Sequence, residues 1–230
     1  MKDIKMFFFD MEGTLFKKNH SLDNGKVAPS AWTVLAKTIG HDCYLEEEQS
    51  KDRWLNGEYR SYTEWMVDTI RIQIKHGMRK EHLEEVIADT HLHTGASELV
   101  SFLKTKGIVT ALISGGFKQL ADIAQVKLGI DHSYSACEYF FDKSGLVKHF
   151  NLLPTDEQGK LIFMQHLADE YNIPMEECAF IGDGKNDVYL ARKCGLSIAF
   201  NGQDELKAVS DLVVDQKQPD LSELIVLLNE

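Results

Sequence analysis

The apolar residues of this chain change period repeatedly. Short unbroken runs at residues 5–9 (KMFFF), 108–113 (IVTALI), 178–181 (CAFI) and 196–200 (LSIAF), with a brief LVV at 212–214, alternate with stretches whose apolar residues recur every three or four positions. Runs of that length read as buried strands, and the stretches between them as amphipathic helices. Helices are predicted over 96–106, 118–128, 160–171 and 187–194, with a last one starting near Pro219. Gly107, Gly129 and Gly195 stand where three of them should stop. Strands joined through helices pair parallel, and a parallel sheet needs both faces covered. The pattern therefore predicts an α/β fold, a doubly wound parallel sheet with 212–214 as a short edge strand.

Two stretches break the rhythm. Between residues 20 and 90 the apolar spacing is helical throughout: Trp32, Leu35 and Ile39, then Tyr62, Trp65, Met66 and Ile70, then Leu83, Val86 and Ile87. This predicts a small helical domain over 17–90, inserted after the first strand, with 1–16 and 91–230 forming the α/β core. Residues 139–147 read as a β-hairpin turning at 142–145. The chain has 230 residues, 43% of them apolar, which suffices for one large core plus an insertion. A net charge of −11 argues against nucleic-acid or anionic-membrane surfaces. The four cysteines are dispersed, with no CxxC pair, as expected for buried thiols in a reducing cytoplasm. Four apolar residues before Asp10 are too few for a signal-peptide core or a membrane span.

Three predicted strands end where polar residues begin: FFFDMEGT, ALISGGF and AFIGDGKND. In an open parallel sheet the carboxyl ends of the strands form the ligand crevice. Asp10, Glu12, Ser114, Asp183 and Asp187 are therefore expected to meet. Clustered carboxylates repel unless a cation neutralises them, and their hard oxygens suit Mg2+. A hydroxyl beside two glycines offers backbone donors that can cradle phosphate. Lys160, opening a long helix, is the candidate fixed positive charge. Carboxylates, divalent metal and phosphate together point to phosphoryl transfer through a carboxylate nucleophile.

D-M-E-G-T-L, I-S-G-G-F, the lone Lys160 and G-D-G-K-N-D, in that order, resemble the four motifs of the haloacid dehalogenase superfamily. The match is closest to its phosphoserine phosphatase-like branch, from the S-G-G-F form, the interval from Lys160 to Gly182 and the helical insertion. The resemblance covers nearly the whole chain. It implies a Rossmann-like core and a helical cap that closes over the site. It further implies Mg2+-dependent hydrolysis of a small phosphomonoester through an aspartyl-phosphate. Asp10 is the implied nucleophile and Glu12 the general acid/base. Ser114, the Gly115 amide, Lys160 and Asn186 hold phosphate. Asp10, the Met11 carbonyl and Asp183 bind the metal, with Asp187 in support.

Two departures from the pattern matter. The second acid of the first motif is usually Asp, and here it is Glu12. Phosphoserine-specific relatives carry a Glu soon after this motif for the substrate ammonium, and a cap Arg for its carboxylate. Here that stretch is Lys17-Lys18-Asn19-His20, and the Glu position falls at about Asn19. Arg53, Arg60, Arg71 and Arg79 are the cap candidates. The pattern suits a substrate without a simple ammonium group. A phosphotransferase with an acceptor other than water, and a noncatalytic phosphometabolite-binding protein, are the alternative functions. Among other conspicuous residues, His91 and His93 read as hinge or surface groups. Tyr62 and Trp65 read as cap core, Lys185 as solvent-facing, and the run Glu46–Glu48 as a solvated face.

Overall fold

In this computed structural model, residues 3–22 and 25–229 are described. In chain order, β1 (Met6–Phe9) precedes four helices: α1 (Ala31–Ile39), α2 (His41–Leu55), α3 (Tyr62–Lys75) and α4 (Lys80–Ala88). Then come α5 (Ala96–Thr105), β2 (Val109–Phe117), α6 (Lys118–Leu128), β3 (His132–Phe141) and β4 (Val147–Leu152). The chain continues through α7 (Gln158–Glu170), β5 (Cys178–Gly182), α8 (Val188–Ala191), β6 (Leu196–Phe200), α9 (Asp204–Lys207), β7 (Leu212–Val214) and α10 (Leu224–Asn229). The sheet is seven-stranded, in the order β4-β3-β2-β1-β5-β6-β7. It is mostly parallel; β3 and β4 form an antiparallel hairpin. The predicted edge strand 212–214 is at the edge.

The chain divides into two compact units. One comprises residues 1–17, 91–135 and 155–230, and the other 18–90 and 136–154. In the first, β1 lies between β2 and β5, parallel to both. All four of its residues are buried, each Phe contributing roughly 1.5–3 kcal/mol. Met6 and Phe8 pack with Ala111, Ile113, Phe180 and the α7 residues Met164, Leu167 and Ala168. Phe7 and Phe9 point to the opposite face, with ring centroids 4.8 Å apart. Phe9 is level with Leu112 on one side and Ile181 on the other. The residues that follow all three therefore emerge at one edge.

Local differences from the sequence expectation have identifiable causes. β2 does not stop at Ile113; it runs through Ser114-Gly115-Gly116 to Phe117, and α6 starts at the next residue. The glycines mark close approach of neighbouring side chains rather than a turn. The helix expected at 187–194 is a 3-10 turn, Lys185–Asp187, followed by the four-residue α8. The Asp187 carboxylate accepts the Gly184 N–H at 3.1 Å and tightens that turn. The last helix is likewise preceded by a 3-10 turn, Leu221–Glu223, where Asp220 accepts the Ser222 N–H.

The second unit contains α1–α4 and the β3–β4 hairpin from Ala136 onward. Residues 136–154 thus group with the helical segment, whereas the sequence expectation placed all of 91–230 in the core. Hydrogen bonds explain the grouping. The Lys80 N–H donates to Gly145 O at 2.8 Å, the Arg79 guanidinium donates to Ser144 O, and buried Tyr139 donates to Gln73 Oε1 at 2.6 Å. Trp54 stacks on Trp65 at 5.2 Å, with Tyr62 edge-on to both. The hairpin turn falls where expected, Gly145 N–H bonding to Asp142 O at 3.0 Å.

Glu47 corrects the reading of 46–48 as a solvated face: it is 6% exposed, and its Oε2 has no partner. Burial, with Glu48 adding to it against Lys51, pushes its carboxyl up to about 8. Below pH 4.5 both folded and unfolded states hold the proton; between 4.5 and about 8 only the folded state does. Stability from this group is therefore lost as pH rises through that window. Glu47→Gln should flatten the pH dependence and stabilise the protein by roughly 1–3 kcal/mol at about pH 9. Denaturant unfolding at stepped pH checks this; an unchanged pH profile contradicts it.

Candidate active site

Lys160 is the centre of the polar edge of the first unit. It is fully buried at the start of α7, and its Nζ donates to Asp10 Oδ1 at 2.6 Å and to Asp187 Oδ1 at 2.7 Å. Burial alone would lower its pKa. The carboxylates of Asp10, Asp187 and Asp156 outweigh that and hold it well above the usual lysine value. Asp187, also fully buried, is pushed up by burial against the pull of Lys160. Asp10 follows β1 directly, and its N–H continues the strand ladder to Ile181 O at 2.9 Å. Its position is thus fixed by backbone pairing and by its contact with one ammonium.

Asp10, Asp183 and Asp187 can each turn an oxygen into a space where the three atoms lie within 4.8 Å of one another. Asp183 is pressed against Gly13: a side chain there would collide with the carboxylate, and φ of +87° favours glycine as well. This all-carboxylate set fits a hard divalent ion such as Mg2+. Met11, assigned to the metal by the sequence expectation, does not fit it. The Met11 carbonyl accepts the N–H groups of Leu15 and Phe16 at 2.9 and 2.8 Å. Both of its lone pairs are spent in the turn that follows Asp10.

The other expected residues lie around this cluster. Glu12 brings Oε1 against Gly116, beside Met11 Cε. Ser114, 2% exposed, accepts the Gly116 N–H at 3.0 Å through its hydroxyl. Asn186 donates its amide to Asp156 Oδ1 at 2.6 Å. Lys185 is exposed, as expected.

Two residues were missed by the sequence reading. Thr155, fully buried, donates its hydroxyl to Ser114 O at 2.7 Å and ties the segment before α7 to β2. Asp156 sits beside Asn186 and 4.0 Å from Lys160. The only signal for both was a Thr-Asp pair a few residues before Lys160. His93, read from the sequence as a hinge or surface group, is half-buried and braced. Its N–H donates to Leu15 O at 2.8 Å and its ring meets Phe200 edge-on at 5.6 Å. Burial, aided by Lys17 and opposed by a bond to the Gly13 backbone, lowers its pKa to about 4. His93 thus buttresses the turn carrying Glu12 as a neutral ring, while His91 is exposed.

In the second unit the arginines are engaged with acids: Arg53 with Asp68 at 2.9 Å, Arg60 with Glu64 at 2.8 Å and Arg79 with Glu81 at 3.3 Å. Arg71 is exposed. The cysteine thiols are free and pushed by burial to about 11 or 12, which makes them inert.

With this geometry in view, the comparisons with known proteins are specific. Residues 4–195 match the haloacid dehalogenase-like hydrolases, and the chain belongs to that family. Within the family it falls in the phosphoserine phosphatase-like branch. It is 29% identical to the phosphoserine phosphatase of Archaeoglobus fulgidus over 91% of its own length and 56% of that protein's. It is 26% identical to that of Methanocaldococcus jannaschii over 97% of both chains. A substrate-bound phosphoserine phosphatase structure shares the fold, with a TM-score of 0.73 at 23% identity over 99% of each chain.

The turn before α7 carries strain. Glu157 has φ 47° and ψ −128°, and the Gly159 N–H closes on Asp156 O at 2.9 Å. These are the angles of the first central residue of a type II′ turn, normally glycine. Glu157→Gly should stabilise the protein by about 1 kcal/mol, read from denaturant unfolding. A loss of stability would show that Glu157 makes a compensating contact.

Proposed function

We propose that this protein is a phosphoric monoester hydrolase that depends on Mg2+ and works through an aspartyl-phosphate on Asp10. The observation that carries the reading is the buried Lys160 ammonium 2.6 Å from Asp10 Oδ1. It places a positive charge against a carboxylate that is 5% exposed and leaves the second carboxylate oxygen for attack. Asp10 attacks phosphorus with the oxygen turned away from Lys160. The hydroxyl of Ser114 and the amide of Gly115 receive the phosphoryl oxygens, and Asn186 turns toward them. Glu12, beside Gly116, protonates the leaving alkoxide, then takes a proton from the water that cleaves the acyl phosphate. Asp10, Asp183 and Asp187 would hold the Mg2+, whose charge offsets the repulsion between phosphate and carboxylates. The four free thiols, three of them buried, suit a reducing, cytoplasmic setting.

The decisive substitutions are at the two acids. Asp10→Asn should abolish Mg2+-dependent release of phosphate from an aryl phosphate, by at least roughly 10³-fold. Glu12→Gln should slow turnover by roughly 10²–10⁴-fold while Mg2+ binding, followed by calorimetry, is retained. Glu12→Asp with unchanged kinetics would show that the length of Glu12 is incidental. An Asp10→Asn protein of wild-type activity would end the proposal.

Phosphoserine, the substrate in the relatives' names, is the reference compound. Asn19 stands where an acid would meet its ammonium, and Arg53, Arg60 and Arg79 are engaged with acids. A phosphometabolite screen at fixed Mg2+ should therefore show other small phosphomonoesters turned over at least as well. A strong phosphoserine preference contradicts this.

A further inference from the structure

The groups proposed to receive phosphate already hold an anion. Asp156 Oδ1 accepts from Asn186 Nδ2 at 2.6 Å and from the Glu157 N–H at 2.9 Å. The same carboxylate lies over Gly115, where any added side chain would collide with it. It is also 4.0 Å from Lys160 Nζ, and only 15% exposed. Asn186, Gly115 and Lys160 are three of the four residues assigned above to the phosphate.

Asp156 is not required by the rest of the site. Lys160 is satisfied by Asp10 and Asp187, and the candidate metal cluster consists of Asp10, Asp183 and Asp187. A further carboxylate beside these acids adds repulsion against any incoming phosphate. Nor is its placement relaxed. The hydroxyl of Thr155 anchors the segment to Ser114 O on one side. On the other, the glycine-like turn at Glu157 bends the chain sharply into α7. Strain retained at such a point is a pointer to function.

We propose that Asp156 is an internal anion that occupies the phosphate cradle of the resting site. Phosphate binds by displacing this carboxylate from Asn186 and Gly115. Its return helps expel inorganic phosphate, the product, after hydrolysis. The inference rests on the phosphatase reading for its consequence, and on the contacts of Asp156 for its geometry.

The test is direct titration of inorganic phosphate, with Mg2+ present, into wild type, Asp156→Asn and Asp156→Ala, alongside turnover of an aryl phosphate. Asn keeps an acceptor for Asn186 and removes the charge, so it should bind phosphate about tenfold more tightly. Ala, losing both, should bind at least as tightly as wild type. If Asp156 only positions Asn186, Asp156→Asn will match wild type and Asp156→Ala will bind more weakly; that result overturns the proposal. Wild-type turnover without tightening in Asp156→Asn removes this inference alone. Tightening without wild-type turnover retains the internal anion and removes hydrolysis.

Discussion

One ammonium group holds the polar edge of this molecule together. Lys160 is fully buried and bonded to two acids, Asp10 and Asp187, that come from different strands' ends. Removing one partner of such a buried set leaves uncompensated charge, at a cost of roughly 3–5 kcal/mol. On the proposed reading, the same contact holds the Asp10 carboxylate in place for attack on phosphorus, so that one interaction serves both stability and chemistry. It also explains why Asp187 is so deeply buried: it is the second counter-charge to Lys160, besides closing the turn at Gly184.

That interaction depends on sheet register. Phe9 is level with both Leu112 and Ile181, so Asp10, the glycine-rich end of β2 and Asp183 reach the same edge. A slip of one residue would turn every side chain of β1 to the other face. The four buried side chains of β1, two on each face, oppose any such slip. Around this fixed frame the fine placement comes from close contacts at glycines, with Asp183 over Gly13 and Glu12 over Gly116. Thr155 ties the α7 entrance to β2.

Much of this was legible in the sequence because period and motif agree. The strands at 196–200 and 212–214 and the helix at 118–128 lie where apolar spacing and Gly129 put them. The three strand-end motifs meet because a parallel sheet leaves them no other place. Other features are three-dimensional and leave little trace in one dimension. The S-G-G stretch looks like a turn, yet continues β2, because its glycines answer to side chains from elsewhere. The Met11 carbonyl is taken up by two amides of its own turn. Glu47 lies in a charged run yet faces inward, and Asp156 looks like an ordinary helix-leading acid. In each case what decides is the neighbour across space.

The central claim is that Lys160 holds Asp10 in place as the group that accepts the phosphoryl. It is tested most directly by quenching turnover of a phosphoryl-labelled substrate in acid and mapping the label by peptide mass spectrometry. The label is predicted on Asp10 in the wild type. It should be absent from a Lys160→Met protein whose fold is confirmed by circular dichroism. Label on another residue, or undiminished labelling of Asp10 without Lys160, would contradict the account.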